Sequence, residues 1–318
     1  MNAKKTDMAT KANTLLDHLE RPILLDGGMG RELRARGVDI MTSIWSANGL
    51  LTAPHTVKQI HTDFISAGAD MITTNTYGII RINLAKEGLE HRFKELNLLA
   101  CDLANQARQQ ADRTVLVAGS LPPLAGSFRP DLVGEISKIA PLYQEQADLL
   151  APHVDLLICE TMSSASEAKA AAMAACRTGK PVWVAWSLHE DRSGNLRSGE
   201  SIQEAAKMLS DLPVRGFLAN CSAPESITKA MPRLAGIVGD FFGGYANAFE
   251  AIPDDWELDG GKTSDGLLDM RSDLDPEQYA QHVAHWLQAG ATVVGGCCGT
   301  GPEHIASLYR LIHNDNAN

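Results

Sequence analysis

Eight short apolar runs recur along the chain, and longer stretches with helical spacing of hydrophobic positions lie between them. The runs are 23–28 (ILLDGG), 71–77 (MITTNTY), 115–120 (VLVAGS), 156–161 (LLICET), 182–187 (VWVAWS), 216–221 (GFLANC), 241–247 (FFGGYAN) and 291–298 (ATVVGGCC). They are continuously apolar rather than alternating, which marks parallel strands covered on both faces. Helical period and helix-start signals place helices at 54–67, 83–110, 164–178, 276–289 and 302–313. Eight strand–helix units in 318 residues predict an α/β fold, a (β/α)8 TIM barrel. A doubly wound sheet is the competing architecture. Its dinucleotide fingerprint fails here, because Gly28-Met29-Gly30 is followed by Leu33 where the third glycine belongs.

The rhythm breaks at 253–276, a polar, acidic stretch rich in turn residues that follows the seventh run. Loops longer than about 12–15 residues in a compact domain are usually functional or mobile. This one is expected to form a lid or an oligomer element over the barrel rim. Residues 1–17 are expected to be a tail or short leading helix, and 18–318 a single barrel.

Most runs begin apolar and finish polar or small, at Asp26, Asn75, Tyr77, Ser120, Glu160, Asn220, Cys221, Asn247, Cys297 and Cys298. In a barrel these positions share the C-terminal rim, where active sites are built. Polar strand ends can be ordinary turn residues, but turns favour Gly, Pro, Asn, Asp and Ser. Glu160 and the cysteines fall outside that set. Asp26 and Glu160 directly after apolar runs would be costly without partners.

Six cysteines punctuate the sequence. Cys101, Cys159 and Cys176 sit in predicted helices and a buried strand, where cysteine serves as a small hydrophobe. A disulfide between Cys297 and Cys298 is disfavoured, since adjacent Cα atoms lie about 3.8 Å apart and unstrained bridges need about 4.4–6.8 Å. Cys221, Cys297 and Cys298 each end a strand, so three thiols can meet at one end of the sheet. Three soft sulfur ligands suit zinc, and a catalytic zinc keeps a fourth position open. Packing and metal binding both remain open at this point.

Composition narrows the class. The formal charge is −11, with 44% hydrophobic and 21% charged residues. That balance disfavours nucleic acid and an anionic membrane surface, and it mildly favours cationic small molecules. The N-terminus has no apolar core of a signal peptide, and no apolar run approaches the ~18 residues of a membrane span. Free cysteines without a secretory signal point to a reducing compartment, so a soluble cytoplasmic protein is expected.

DGGMG after the first run, TTNTY in the second, ICET in the fourth, ANC in the sixth and GGCCGT at the eighth together resemble the homocysteine S-methyltransferase family. That family includes betaine–homocysteine methyltransferase, S-methylmethionine-dependent enzymes and the homocysteine domain of cobalamin-dependent methionine synthase. The resemblance runs from about residue 20 to 313. It implies a (β/α)8 barrel in which zinc is held by three thiolates, mapping onto Cys221, Cys297 and Cys298.

The implied chemistry is transfer of a methyl group to homocysteine, giving methionine. A thiol becomes a good nucleophile as the thiolate, and zinc coordination deprotonates it. Four thiolates around a 2+ ion leave a dianionic centre that attracts a cationic methyl donor. The resemblance supports Asp26 and Glu160 as catalytic, substrate-binding residues, here assigned to the homocysteine ammonium. The N–H groups of Gly27 and Gly28 are assigned to its carboxylate. Trp45 and Tyr77 are either an aromatic wall for the methylated cation or ordinary packing. Asn220, beside a ligand cysteine, either supports the site and substrate or ends a strand, and His304 either orients the cysteine loop or starts a helix. The barrel alone fills the chain, so no folate or cobalamin module is expected, and a small onium donor of S-methylmethionine or betaine type is favoured. A separate corrinoid protein is the alternative donor. A non-catalytic zinc- or thiol-sensing protein on the same scaffold is the alternative class, and the amino-acid pocket of Asp26 and Glu160 argues against it. Oligomeric state is left open.

Overall fold

Strands β1 (Ile23–Leu24), β2 (Met71–Thr73), β3 (Leu116–Leu121), β4 (Leu156–Met162), β5 (Val182–Trp186), β6 (Val214–Asn220), β7 (Phe241–Ala246) and β8 (Val293–Gly296) form one parallel sheet. This computed structural model describes Leu16, residues 21–254 and residues 268–314. β1 pairs with β8 through Ile23↔Val293 and Leu24↔Val294. On its other side, a parallel bridge joins Leu25 to Met71, and the Asp26 N–H donates to Met71 O at 3.0 Å. The sheet therefore curls back on itself as a (β/α)8 barrel, and the doubly wound alternative is excluded.

Both faces of the strands are apolar because two cores use opposite phases of the same strands. Ile23, Leu25, Met71, Leu116, Leu156, Ile158, Trp183, Leu218, Tyr245 and Val293 fill the barrel interior. Leu24, Ile72, Val117, Leu157, Val184, Phe217, Ala246 and Val294 face the surrounding helices. β1 and β2 are shorter than their apolar runs, since residues 27–28 and 75–77 leave the ladder, and Gly27, Gly28, Asn75 and Tyr77 line the rim pocket.

The helices start where their capping chemistry dictates. Ser164 accepts the Glu167 N–H ahead of Ala165–Arg177, and Asp275 forms a capping box with Gln278 ahead of Pro276–Gln288. Pro54–Ser66 and Pro302–Asn314 each open on proline, which needs no N–H partner. The long helix expected over 83–110 is corrected. It divides into Arg81–Lys86, a 3-10 turn at Glu90–Arg92, and Phe93–Gln109. Gly88 sits at φ +69° between them, and the Leu89 N–H returns to Leu84 O, a glycine-terminated helix end.

Most of the expected tail at 1–17 and the centre of the 253–276 loop lie outside the described residues. Ile252, just ahead of that loop, and Leu268 within it pack with Phe128, Phe249 and Cys221 over the rim. Arg197, itself buried, holds Ile252 by donating to its carbonyl oxygen at 2.7 Å. Among the described residues, no helix is long and apolar enough to cross a membrane.

Candidate active site and metal centre

Cys221 follows β6, and Cys297 and Cys298 follow β8. The intervening strand β7 fastens both turns: Cys221 N–H donates to Tyr245 O at 3.0 Å, and Cys297 N–H to Ala246 O at 2.9 Å. The Tyr279 hydroxyl donates to Gly295 O at 2.7 Å and accepts the Ala246 N–H at 2.9 Å, locking β7 to β8. These backbone anchors bring the three Sγ atoms within 4.8 Å of one another. No other group of three or more metal-ligating side chains occurs among the described residues. Cys101, Cys159 and Cys176 stay apart from the trio as packing residues, and burial raises each thiol pKa.

Three thiols this close in a buried site oppose one another's ionisation. The Cys297 thiol is pushed well above its ordinary value by its hydrogen bond with Cys221, by burial and by the nearby Glu160 charge. A divalent ion that draws three thiolates together removes that penalty. A soft donor set of three sulfurs, all lining one pocket, fits a thiophilic metal that can accept a further ligand from the pocket.

That pocket is a cavity of about 110 Å³ at the C-terminal rim, and it also contains Asp26, Glu160, Trp45 and Tyr77. Asp26 Oδ2 accepts the Thr73 N–H at 2.8 Å, and Oδ1 accepts the Thr73 hydroxyl at 3.1 Å. Burial pushes the Asp26 carboxyl up to about 7 against those two bonds, and the Glu160 charge adds to the rise. Glu160 accepts hydrogen bonds from the Ser120 hydroxyl and, at 3.1 Å, from the Tyr245 hydroxyl. Burial still raises its pKa. Burial disfavours the charged form of both carboxyl groups in this pocket, and a nearby cation would favour it.

The aromatic residues meet edge to face. Trp45 and Tyr77 have ring centroids 6.4 Å apart at 70°, and the Tyr77 and Ser127 hydroxyls are 2.7 Å apart. Phe128 and Phe249 complete an apolar wall that the sequence pattern did not single out. The described non-glycine residues at positive φ are Trp45, Phe128, Thr161, Arg192 and Cys221, and all but Arg192 line this pocket. Backbone strain concentrates where function is built.

Two sequence expectations need correction, the substrate contacts of Gly28 and Asn220, while His304 takes the helix-start one of its two readings. Gly28 is not free to hold a substrate carboxylate, because its N–H already donates to Thr300 O at 2.9 Å. Gly27 lines the pocket, and a Cβ there would stand 2.5 Å from Thr300 O, so close backbone packing requires a glycine at this position. Asn220 is fully buried behind the pocket wall, and both functional atoms of its amide are spent on Thr161. His304 does not touch the cysteines. It accepts the Gly301 N–H on Nδ1 at 3.2 Å, so Nε2 carries the proton and donates to Leu274 O at 3.1 Å.

Thr73, Ser120 and Tyr245 are the polar partners of the two acids. Ser120 was visible as a strand end. Tyr245 was legible only through its phase, since it falls on the inward face of β7.

The family model of homocysteine S-methyltransferase matches residues 23–312. The chain belongs to the homocysteine S-methyltransferase family. Among its relatives, the Escherichia coli (strain K12) homocysteine S-methyltransferase is 30% identical over 308 residues, covering 90% of this chain and 94% of that protein. Selenocysteine methyltransferase from Astragalus bisulcatus is 26% identical over 329 residues, covering 92% and 93%. The crystal structure of the metallated form of the E. coli homocysteine methyltransferase MmuM superposes with a TM-score of 0.77 at 29% identity, covering 94% of this chain and 98% of that one. Metal binding thus occurs in a relative that shares the whole barrel.

Proposed function

We propose that this chain is a zinc-dependent enzyme that transfers a methyl group from a cationic onium donor to the sulfur of homocysteine, giving methionine. The observation that carries the proposal is the convergence of three thiols, the buried Asp26 and the half-buried Glu160 on one small pocket. Bound by Cys221, Cys297 and Cys298, zinc would supply the Lewis acidity that keeps a substrate thiol deprotonated at neutral pH.

The chain's own residues do the rest. Glu160 and Asp26 face the homocysteine ammonium, whose charge lets both acids ionise in a buried site. Ser120 and Tyr245 donate to Glu160 and aim it. Trp45 and Tyr77, with Phe128 and Phe249, exclude water and offer aromatic faces to a methylated cation. In the transfer, the donor's S–CH3 bond breaks with its electron pair remaining on the donor sulfur, and the homocysteine sulfur forms the new bond.

S-methylmethionine is favoured over a betaine-type donor because it leaves as a neutral thioether. A reducing compartment such as the cytoplasm is part of this proposal, and six cysteines without a disulfide are compatible with it. Incubation of purified protein with homocysteine and each candidate donor, with methionine as the readout, tests the proposal. Methionine from no donor would reject it.

A further inference from the structure

Glu160 stands at an irregularity in its strand. The pairing of β4 with β5 holds at Cys159↔Val184 and resumes at Met162↔Trp186, with a register shift between them. Cys159 and Met162 both pack outward against the helices. A regular strand returns to the same face after two residues, not three. One extra residue has been inserted, a β-bulge of the kind that re-aims a side chain. As a result the neighbours Glu160 and Thr161, which a regular strand would send to opposite faces, both line the pocket.

The bulge rests on an unfavourable backbone. Thr161 sits at φ +62°, where a branched Cβ is crowded. Such a conformation persists only where its surroundings over-determine it. Asn220, two strands away on β6, does so. Its Oδ1 accepts the Thr161 N–H at 2.8 Å, and its Nδ2 donates to Thr161 Oγ1 at 2.9 Å. The amide is wholly buried, so water does not compete for either bond.

We infer that Asn220 is a positioning residue for the acceptor: by clamping Thr161 it maintains the bulge that presents Glu160 to the substrate ammonium. It acts through Thr161 rather than through the adjoining Cys221, whose turn is held by its own N–H to Tyr245 O. The inference rests on homocysteine being the acceptor.

The test is a rescue. Asn220→Ala removes the clamp, and Thr161→Gly removes the strain that the clamp resists, since glycine takes positive φ freely. The KM for homocysteine should rise about ten-fold in N220A, with a much smaller change in kcat and with bound zinc per chain retained. The double variant N220A/T161G should recover most of that loss, measured against T161G alone. A merely structural asparagine would lower Tm without this recovery of KM. An unrecovered KM in the double variant, or zinc lost from N220A in step with activity, overturns the inference. Failure of the wild-type enzyme to methylate homocysteine would reject the functional proposal instead. The clamp would then be judged by Tm, as it would if N220A were too unstable for kinetics: regain of the lost Tm in the double variant supports it, and no regain overturns it.

Discussion

Gly28 lies against the Cys297–Cys298 turn so closely that a Cβ on it would stand 2.6 Å from the Cys297 carbonyl oxygen and 3.0 Å from the Cys298 Cα. The first strand's Gly-Gly turn therefore sets the position of two of the three thiols. Gly28→Ala has to push rigid backbone, not a flexible side chain. Overpacking of this kind costs about 1–3 kcal/mol. The variant should melt at lower temperature and retain less zinc after dialysis, measured by calorimetry and metal analysis. Full zinc retention would show that the turn tolerates displacement.

Each of Cys221→Ser, Cys297→Ser and Cys298→Ser replaces a soft ligand with a hard one. Even partners outside a metal's ligand set cost roughly 10- to 100-fold in affinity or activity when removed, so loss of a ligand should exceed that. Zinc per chain and turnover should fall together in all three variants. Wild-type zinc content in the triple variant would place the metal elsewhere.

Glu160→Gln keeps the side-chain shape and an acceptor for Ser120, but it removes the charge offered to the substrate. A charge-assisted hydrogen bond is worth about 1.5–3 kcal/mol, so homocysteine binding should weaken roughly 10- to 150-fold. Zinc content should not change. Unaltered affinity in a titration would make Glu160 structural.

His61, which does not line the pocket, offers a test of stability. Its ring is fully buried on Pro54–Ser66, neither nitrogen has a hydrogen-bond partner, and burial lowers its pKa from 6.5 to about 4. The unfolded chain takes up this proton first. Its contribution to stability is therefore complete above pH 6.5 and is lost as pH falls toward 4. His61→Leu should remove on the order of 3 kcal/mol of that acid-dependent loss. Denaturant melts of both proteins at pH 7 and pH 4.5 measure the difference, and parallel pH dependence in the two would contradict it.

The barrel and the rim residues were readable from sequence because both follow from local pattern. Continuous apolar runs reveal strands covered on two sides, and Asp26, Glu160 and the cysteines stand out as groups too costly to bury idly. What stayed hidden depends on contacts distant in sequence. Thr73 meets Asp26, Tyr245 meets Glu160, and Asn220 meets Thr161 only after the barrel closes. The bulge at Glu160–Thr161 is invisible because the run LLICET reads as an ordinary strand. The Gly28 N–H was misassigned for a related reason: nothing local reveals that Thr300, at the far end of the chain, claims it. The broken helix after Ile80 is the opposite case, since Gly88 was a local signal outweighed by the periodicity on either side.

The most direct measurement follows a labelled methyl group. Zinc-loaded protein is given homocysteine with methyl-labelled S-methylmethionine, with a labelled betaine or with labelled methionine, and the products are read by mass spectrometry. Label should pass from an onium donor into newly formed methionine, S-methylmethionine serving better than betaine. Methionine should not donate, because it lacks a positive centre and would have to expel a poor thiolate leaving group. Transfer from a methylated corrinoid protein, with none from any onium compound, would contradict the assignment and make this chain the homocysteine-activating part of a larger system.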